Sequence, residues 1–248
     1  MKVNAVHTRK VTPGCCTLFE LLDESLPQLP ERSIVAITSK VVSLCEGRVV
    51  PVDETDRDAL VQQEAQYFLP PGLSKYHYCF TITRHTLVES AGIDQSNGGG
   101  YYVLWPRDPQ ATANAARRHL ATPAGRAVGV IIIDSVSRPF RLGTNSIAIG
   151  FSGFAPLHNY AGEPDLFGRR FRVQRSDLVD GLATAAGVVM GEGSEQTPLA
   201  IIEDVPFVRF RHADPTDEEL ATLRISVADD LYAPFWESVY WRPGGQAS

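Results

Sequence analysis

The run AVGVIII, Ala127 to Ile133, limits what this chain can fold into more than any other stretch. It is too short for a typical buried helix and is dominated by β-branched residues, so it reads as a strand covered on both faces. Such a strand needs packed layers on each side. The run ends at Asp134-Ser135, which sets a carboxylate and a hydroxyl at the border of an apolar core.

Helix and strand signals alternate around it. SIVAITS (Ser33 to Ser39), HYCFTITR (His77 to Arg84), NSIAIG (Asn145 to Gly150), PLAIIE and FVRFR read as strands. TLFELLDESL has Thr17 at a cap position, DRDALVQQEAQYFL (Asp56 to Leu69) is amphipathic up to Pro70-Pro71, and Asp108-Pro109 opens a further helix. SDLVDGLATAAGVVM is a small-residue helix capped by Ser176, able to approach a sheet closely, and Thr216 and Glu219 have capping-box spacing. No regular βαβ rhythm is present, so the expected class is α+β with intermixed strands, in one domain over residues 1–248.

The formal charge of −6 argues against a nucleic acid or an anionic membrane as the main partner, because both need a basic face. The start, MKVNAVHTRKV, has no apolar signal core, and no run reaches the roughly 18 apolar residues that span a bilayer, so a cytoplasmic protein is expected. Cys15, Cys16, Cys45 and Cys79 lack C-x-x-C spacing and read as free thiols rather than a zinc knuckle or redox pair. The histidines lack metal-ligand spacing; His77 and His85 read as surface residues on strands. The aromatic tail LYAPFWESVYW reads as core or subunit-contact packing.

No P-loop, strand-linked G-x-G-x-x-G, G-x-S-x-G elbow or H-E-x-x-H is present. Three oxygen-rich clusters remain. The first is Asp94 with Ser96 and Asn97, running into Gly98–Gly100; the second is Asp134-Ser135 followed by Arg138 and Arg141. The third is MGEGSEQTP, with Glu192 and Glu195 in a Gly-rich turn. Taken singly they are an ordinary loop tip, a strand-ending turn and a helix C-cap. Taken together they suit Mg²⁺ or Mn²⁺, which bind through a few carboxylates and substrate phosphates, with the arginines neutralising phosphate or carboxylate charge.

At these clusters the sequence resembles the coenzyme F420-0:L-glutamate (γ-glutamyl) ligases. The matching words are ITSKVVS with EGR, ESAGIDQSN, WPRDP, IIIDSVSRPFRLG, AIGFSG, DLFGR and ATAAGVVMGEGSEQTP. They run in family order over residues 30–205, leaving 206–248 as a C-terminal extension of the same unit. The resemblance implies a CofE-like mixed-sheet α+β fold in an intertwined homodimer. It also implies a GTP-dependent ligase, with ATP as the other possible nucleotide, that requires Mg²⁺ or Mn²⁺. An acceptor carboxylate, on coenzyme F420-0 or a related molecule, becomes an acyl phosphate that the amine of L-glutamate attacks.

Carried over by position, Asp94, Asp134, Ser135 and Glu192 match metal-binding oxygens. Ser39, Lys40, Asn97, Gly191, Gly193 and Ser194 match nucleotide contacts, HTRKVTPG corresponds loosely to another, and Arg138 and Arg141 take the catalytic charge-neutralising role. Leu44 stands where the family usually has Lys, and Ser137 where it usually has Gly. Those departures leave two alternatives open: the same chemistry on a folate-like or other acceptor, or a nucleotide-binding protein without catalysis.

Overall fold

The computed structural model describes residues 1–121 and 125–246. The strands among them are β1 (Lys2–Val6), β2 (Ile34–Thr38), β3 (Val49–Pro51), β4 (Tyr67–Phe68), β5 (Phe80–Thr83), β6 (Thr86–Glu89) and β7 (Tyr101–Val103). They continue with β8 (Gly129–Ser137), β9 (Thr144–Ser152), β10 (Leu157–Asn159), β11 (Arg175–Asp177), β12 (Leu199–Glu203) and β13 (Arg242–Pro243). The α-helices are α1 (Leu18–Ser25), α2 (Ser39–Glu46), α3 (Arg57–Glu64), α4 (Pro109–Ala121), α5 (Leu178–Met190), α6 (Asp217–Leu223) and α7 (Ala233–Glu237). None of them is long and apolar enough to cross a membrane.

The central sheet has the order β1-β12-β2-β8-β9. β2 and β8 are parallel, and the other neighbours are antiparallel, which makes it a mixed sheet in an α+β fold. Alternation along β8 accounts for its apolar run. Val130 and Ile132 pack with α1, α2 and α4 on one face, while Ile131 and Ile133 pack with α5 on the other. Each such side chain, fully buried, stabilises the fold by roughly 1.5–3 kcal/mol.

β8 does not stop at Asp134, as its sequence suggested. It continues to Ser137, pairing with β9 across a register shift between Ile132 and Ile133. The strand therefore carries Asp134 and Ser135 inside a ladder, and because successive side chains point to opposite faces, one turns toward α2 and the other toward the end of α5.

A second, smaller core gathers Leu60, Val61, Phe68, Ile93, Tyr102 and Leu104. It lies among α3, the β3–β7 pair and a sheet of order β13-β4-β5-β6. Val88, Trp105, Val136 and Ile147 form the apolar seam between this part and the central sheet.

Several local expectations need correction. The helix expected over 56–69 ends at Glu64, since Ala65 is extended and Tyr67–Phe68 are claimed by pairing with β5 and β13. Asp177, not Ser176, caps α5: its carboxylate accepts from Asp180 N, while Ser176 is paired in β11. FVRFR forms only a bridge from Phe210 to Phe154, and its first residue, Phe207, and Asp204 before it have positive φ. His77 and His85 sit in exposed turns with φ of 55° and 61°, not on strands. In the aromatic tail Leu231, Tyr232, Phe235 and Tyr240 are exposed, so it is not core of this chain.

Candidate active site

The first wall of the site is the junction of β2 and α2. Thr38 caps the helix by accepting from Val41 N, which fixes Ser39 and Lys40 in its first turn. Ser39 Oγ donates to Asp134 Oδ1 at 2.6 Å, and Trp105 Nε1 donates to Asp134 Oδ2 at 2.5 Å. Both oxygens of that carboxylate are thus held. Burial pushes its pKa up to about 6, against the opposing pull of the Ser39 and Trp105 hydrogen bonds and the Lys40 charge.

Trp105 is itself held in place. Gly92 has φ +73°, and a Cβ there would lie 2.1 Å from the indole nitrogen. Only a glycine permits both the backbone conformation and the approach of the ring.

The second wall is the Asp94 loop. Lys40 Nζ donates to Asp94 Oδ2 at 2.5 Å and to both the carbonyl and the hydroxyl of Ser96 at 2.8 Å. Ser96 N closes an Asx turn onto Asp94 Oδ1 at 2.9 Å. Burial alone would raise the Asp94 carboxyl, but the hydrogen bonds from Lys40 and Ser96 outweigh it and hold the group below the usual carboxylate range.

The three glycines that follow have separate roles. A Cβ on Gly98 would meet the Tyr101 carbonyl at 2.3 Å, whereas Gly99 and Gly100 face open space with φ of +62° and +97°. They turn the chain into β7, and Gly98 and Gly99 also face the cavity.

The third wall is the turn after α5. Ser135 Oγ donates to Glu192 Oε1 at 2.6 Å, and Asn97 Nδ2 donates to Gly193 O at 2.8 Å, stitching the second and third walls together. Glu195 closes the turn by accepting from Gly193 N at 2.8 Å. α5 reaches β9 closely enough that a Cβ on Gly187 would lie 2.0 Å from Ser146 Oγ, which bears out the small-residue reading of this helix. Gln196 pairs with Thr8 through two hydrogen bonds of 3.1 and 2.6 Å, bringing the Thr8–Pro13 segment alongside.

These walls enclose a cavity of about 1030 Å³. Its lining includes Ser39, Lys40, Asp94, Asn97, Asp134 and Ser135, together with Gly191, Glu192, Gly193 and Ser194. Leu44 and Ser137 line it too. Arg138 and Arg141 do not. They stand on the exposed β8–β9 tip, Arg138 at 3.8 Å from Asp180 and Arg141 donating to Phe140 O. Sequence reasoning gave no role to Trp105, although a buried indole N–H requires a partner and WPRDP sits among polar clusters. It also passed over Arg57 and Glu89, both on the cavity wall.

Among the described residues, no three His, Cys, Asp or Glu side chains group tightly enough to cage an ion. A hard divalent cation bound through one or two carboxylates and phosphate oxygens needs no such cage. The candidate ligand atoms here are all oxygens, and among the described residues the half-buried Asp134 carboxylate has no direct ion pair, so the residues present fit Mg²⁺ or Mn²⁺.

Residues 6–204 match the family model described as F420-0:Gamma-glutamyl ligase. The chain belongs to this family. It is 37% identical over 212 residues to the coenzyme F420:L-glutamate ligase of Methanopyrus kandleri, covering 78% of this chain and 82% of the relative. The enzyme of the same name from Methanocaldococcus jannaschii is 34% identical over 224 residues, with 80% and 89% covered. That of Methanothermobacter thermautotrophicus is 33% identical over 213 residues, with 78% and 83% covered. Membership in the F420-0:γ-glutamyl ligase family makes the chain an amide-bond-forming ligase, and the family match includes the Thr8–Pro13 segment that lines the cavity.

Proposed function

We propose that this γ-glutamyl ligase joins L-glutamate to a carboxylate acceptor, coenzyme F420-0 or a related molecule, in a reaction driven by GTP and dependent on Mg²⁺ or Mn²⁺. The observation that carries the reading is the convergence of Asp94, Asp134 and the Ser135–Glu192 pair, from three separate segments, on one cavity.

A carboxylate is a poor electrophile because its leaving group would be oxide. In the proposed route an acceptor carboxylate oxygen attacks the terminal phosphorus of the nucleotide, and the bond to the diphosphate breaks. The amine of glutamate then attacks the acyl carbon, phosphate leaves with the C–O bonding electrons, and the amine loses a proton to give the amide. Asp94, Asp134, Ser135 and Glu192 would hold the divalent cation, which supplies charge neutralisation at the phosphates. Lys40 presents its ammonium on the same wall, and Asn97 and the Gly191–Ser194 turn offer polar groups to the nucleotide. No covalent nucleophile is required.

An intertwined homodimer is part of the proposal. Its support is the exposure of large apolar side chains on protruding loops, Phe140 at 98% and Phe167 at 95%. In such a dimer the β8–β9 tip would bring Arg138 and Arg141 toward a phosphate. A second reading concerns the acceptor alone. Leu44 and Ser137 depart from the family pattern and both face the cavity, which favours a changed acceptor such as a folate-like carboxylate.

The decisive experiment incubates the protein with glutamate, GTP or ATP, Mn²⁺ and a panel of acceptors, with mass-spectrometric detection of glutamyl adducts. Asp94→Asn and Asp134→Asn should each abolish nucleotide-dependent ligation while leaving the circular-dichroism spectrum unchanged. Full activity in both would overturn the assignment of these carboxylates. Nucleotide binding without turnover on any acceptor would favour a non-catalytic nucleotide-binding protein.

A further inference from the structure

Three of the four thiols come together beside the cavity, while Cys79 belongs to the smaller core. Cys15 Sγ lies 3.5 Å from Cys16 Sγ, and Cys16 Sγ lies 4.0 Å from Cys45 Sγ, although Cys45 is 29 residues further along the chain. Cys15 is exposed, Cys16 and Cys45 are half-buried, and all are free. The turn that bears the first two is tied to α2, which bears the third, by a hydrogen bond of 3.1 Å from Gly14 N to Leu44 O. Thr12 and Pro13 of that turn and Val41 and Leu44 of that helix line the cavity.

We propose that this trio is an oxidant-responsive modification site whose stable product is a Cys16–Cys45 disulfide linking two walls of the cavity. The oxidant class is a hydroperoxide. Cys15 is the entry point. It is solvent-accessible, and although burial opposes it, hydrogen bonds from the Thr12 backbone and Cys16 hold its pKa below the ordinary thiol value, which favours the thiolate. Its sulfur attacks the distal peroxide oxygen; the S–O bond forms, the O–O bond breaks, and the leaving alkoxide or hydroxide takes up a proton. Cys16, at 3.5 Å, then attacks the sulfenic sulfur, forming an S–S bond and releasing water.

That vicinal product is strained, so a third thiol within reach displaces it. Consecutive Cα atoms across a trans peptide are about 3.8 Å apart, below the roughly 4.4–6.8 Å that an unstrained disulfide spans. Cys45 attacks Cys16 Sγ from 4.0 Å, the strained bond breaks, and Cys15 departs as its thiolate, with the proton of Cys45 passing to solvent. Acidity sets the same direction. Burial raises the pKa of Cys16 and pushes that of Cys45 up to about 12, so these two thiols form the more stable disulfide and Cys15 the more stable thiolate.

The test uses the reduced protein without nucleotide, so its failure is separate from that of the ligase reading. The protein is treated with hydrogen peroxide, free thiols are alkylated, and peptides are mapped without reduction. The expected result is a Cys16–Cys45 cross-linked peptide with Cys15 and Cys79 alkylated. Cys15→Ser should form that cross-link at least about tenfold more slowly, since the accessible thiolate is gone, and Cys45→Ser should leave a Cys15 sulfenic acid or vicinal disulfide instead. Circular dichroism confirms that the variants fold. Recovery of Cys16 and Cys45 both alkylated after Cys15 is oxidised in the wild-type protein would overturn the proposal, as would an unchanged rate in Cys15→Ser.

Discussion

The Trp105 indole N–H donates to the same Asp134 carboxylate that Ser39 grips from the opposite side, at 2.5 and 2.6 Å. This places a positioning residue from the small subdomain directly on a carboxylate of the central sheet. Trp105→Phe keeps the apolar seam with Val88, Val136 and Ile147 but deletes the donor. In the proposed metal site Asp134 is a ligand, and loss of a partner that orients such a carboxylate reduces affinity or activity by about 10–100-fold. That loss is expected in ligation and in Mn²⁺ affinity, read by equilibrium titration, with little change in the urea midpoint. A variant with unchanged Mn²⁺ affinity would show that Trp105 only packs.

Asp134 also sets a pH dependence with a definite sign. Its pKa is raised from 3.8 to about 6, so the folded protein holds this proton more tightly than the unfolded chain. The resulting stabilisation is complete below pH 3.8 and is lost as pH rises through 6. At about 1.4 kcal/mol per pKa unit, the ionised carboxylate costs the nucleotide-free protein on the order of 3 kcal/mol at neutral pH. Asn can satisfy both neighbours, its carbonyl accepting from Trp105 and its amide donating to the Ser39 hydroxyl. Asp134→Asn, expected to be inactive, should therefore melt at higher temperature than wild type at pH 7.5 in EDTA, with the gap closing near pH 4. A gap of the same size at both pH values would sink this account.

The strong features of this fold were legible because each rests on local chemistry. The doubly buried β8, the Thr17 cap, the Thr216 capping box and the Asp108-Pro109 helix start formed as read. Failures arose where distant segments decided the outcome. Tyr67–Phe68 left a helical pattern because β5 and β13 supplied ladder partners from elsewhere in the chain. In the site, the three clusters could be found singly, but their convergence on one cavity could not be derived from spacing. Trp105 was hidden because its role depends on Asp134, and the thiol trio because Cys45 reaches Cys16 only through the packing of α2 against the N-terminal turn.

Gly92 shows how a backbone position controls the placement of Trp105. Gly92→Ala puts a Cβ into the Trp105 indole at φ +73°. The positive-φ penalty and the overpacking together should destabilise the protein by about 2–4 kcal/mol. Because the ring must move, the Asp134 hydrogen bond should be lost as well, so the surviving folded fraction should show the reduced Mn²⁺ affinity of Trp105→Phe. Thermal melts and Mn²⁺ titration of the same preparation check both effects. Normal Mn²⁺ affinity in a merely less stable protein would separate the glycine from the site.

Lys40 distinguishes a structural ion pair from a functional one. Its ammonium holds Asp94, but the aspartate side chain is 52% exposed and the lysine 25%, so solvent screens the pair. Removing it through Lys40→Met should cost no more than about 1 kcal/mol of stability at neutral pH. That small contribution is present above the ordinary carboxylate pKa and disappears as pH falls through the lowered pKa of Asp94, because the protonated acid no longer attracts the cation. Nucleotide binding is a different matter, since a charge-assisted hydrogen bond to phosphate contributes about 1.5–3 kcal/mol. The Kd for GTP in the presence of Mn²⁺ should therefore rise by about 10–100-fold in Lys40→Met, measured by calorimetry at pH 7.5, while the melting temperature shifts by only a few degrees. Equal nucleotide affinity in the two proteins would leave Lys40 as a brace for the Asp94 loop alone.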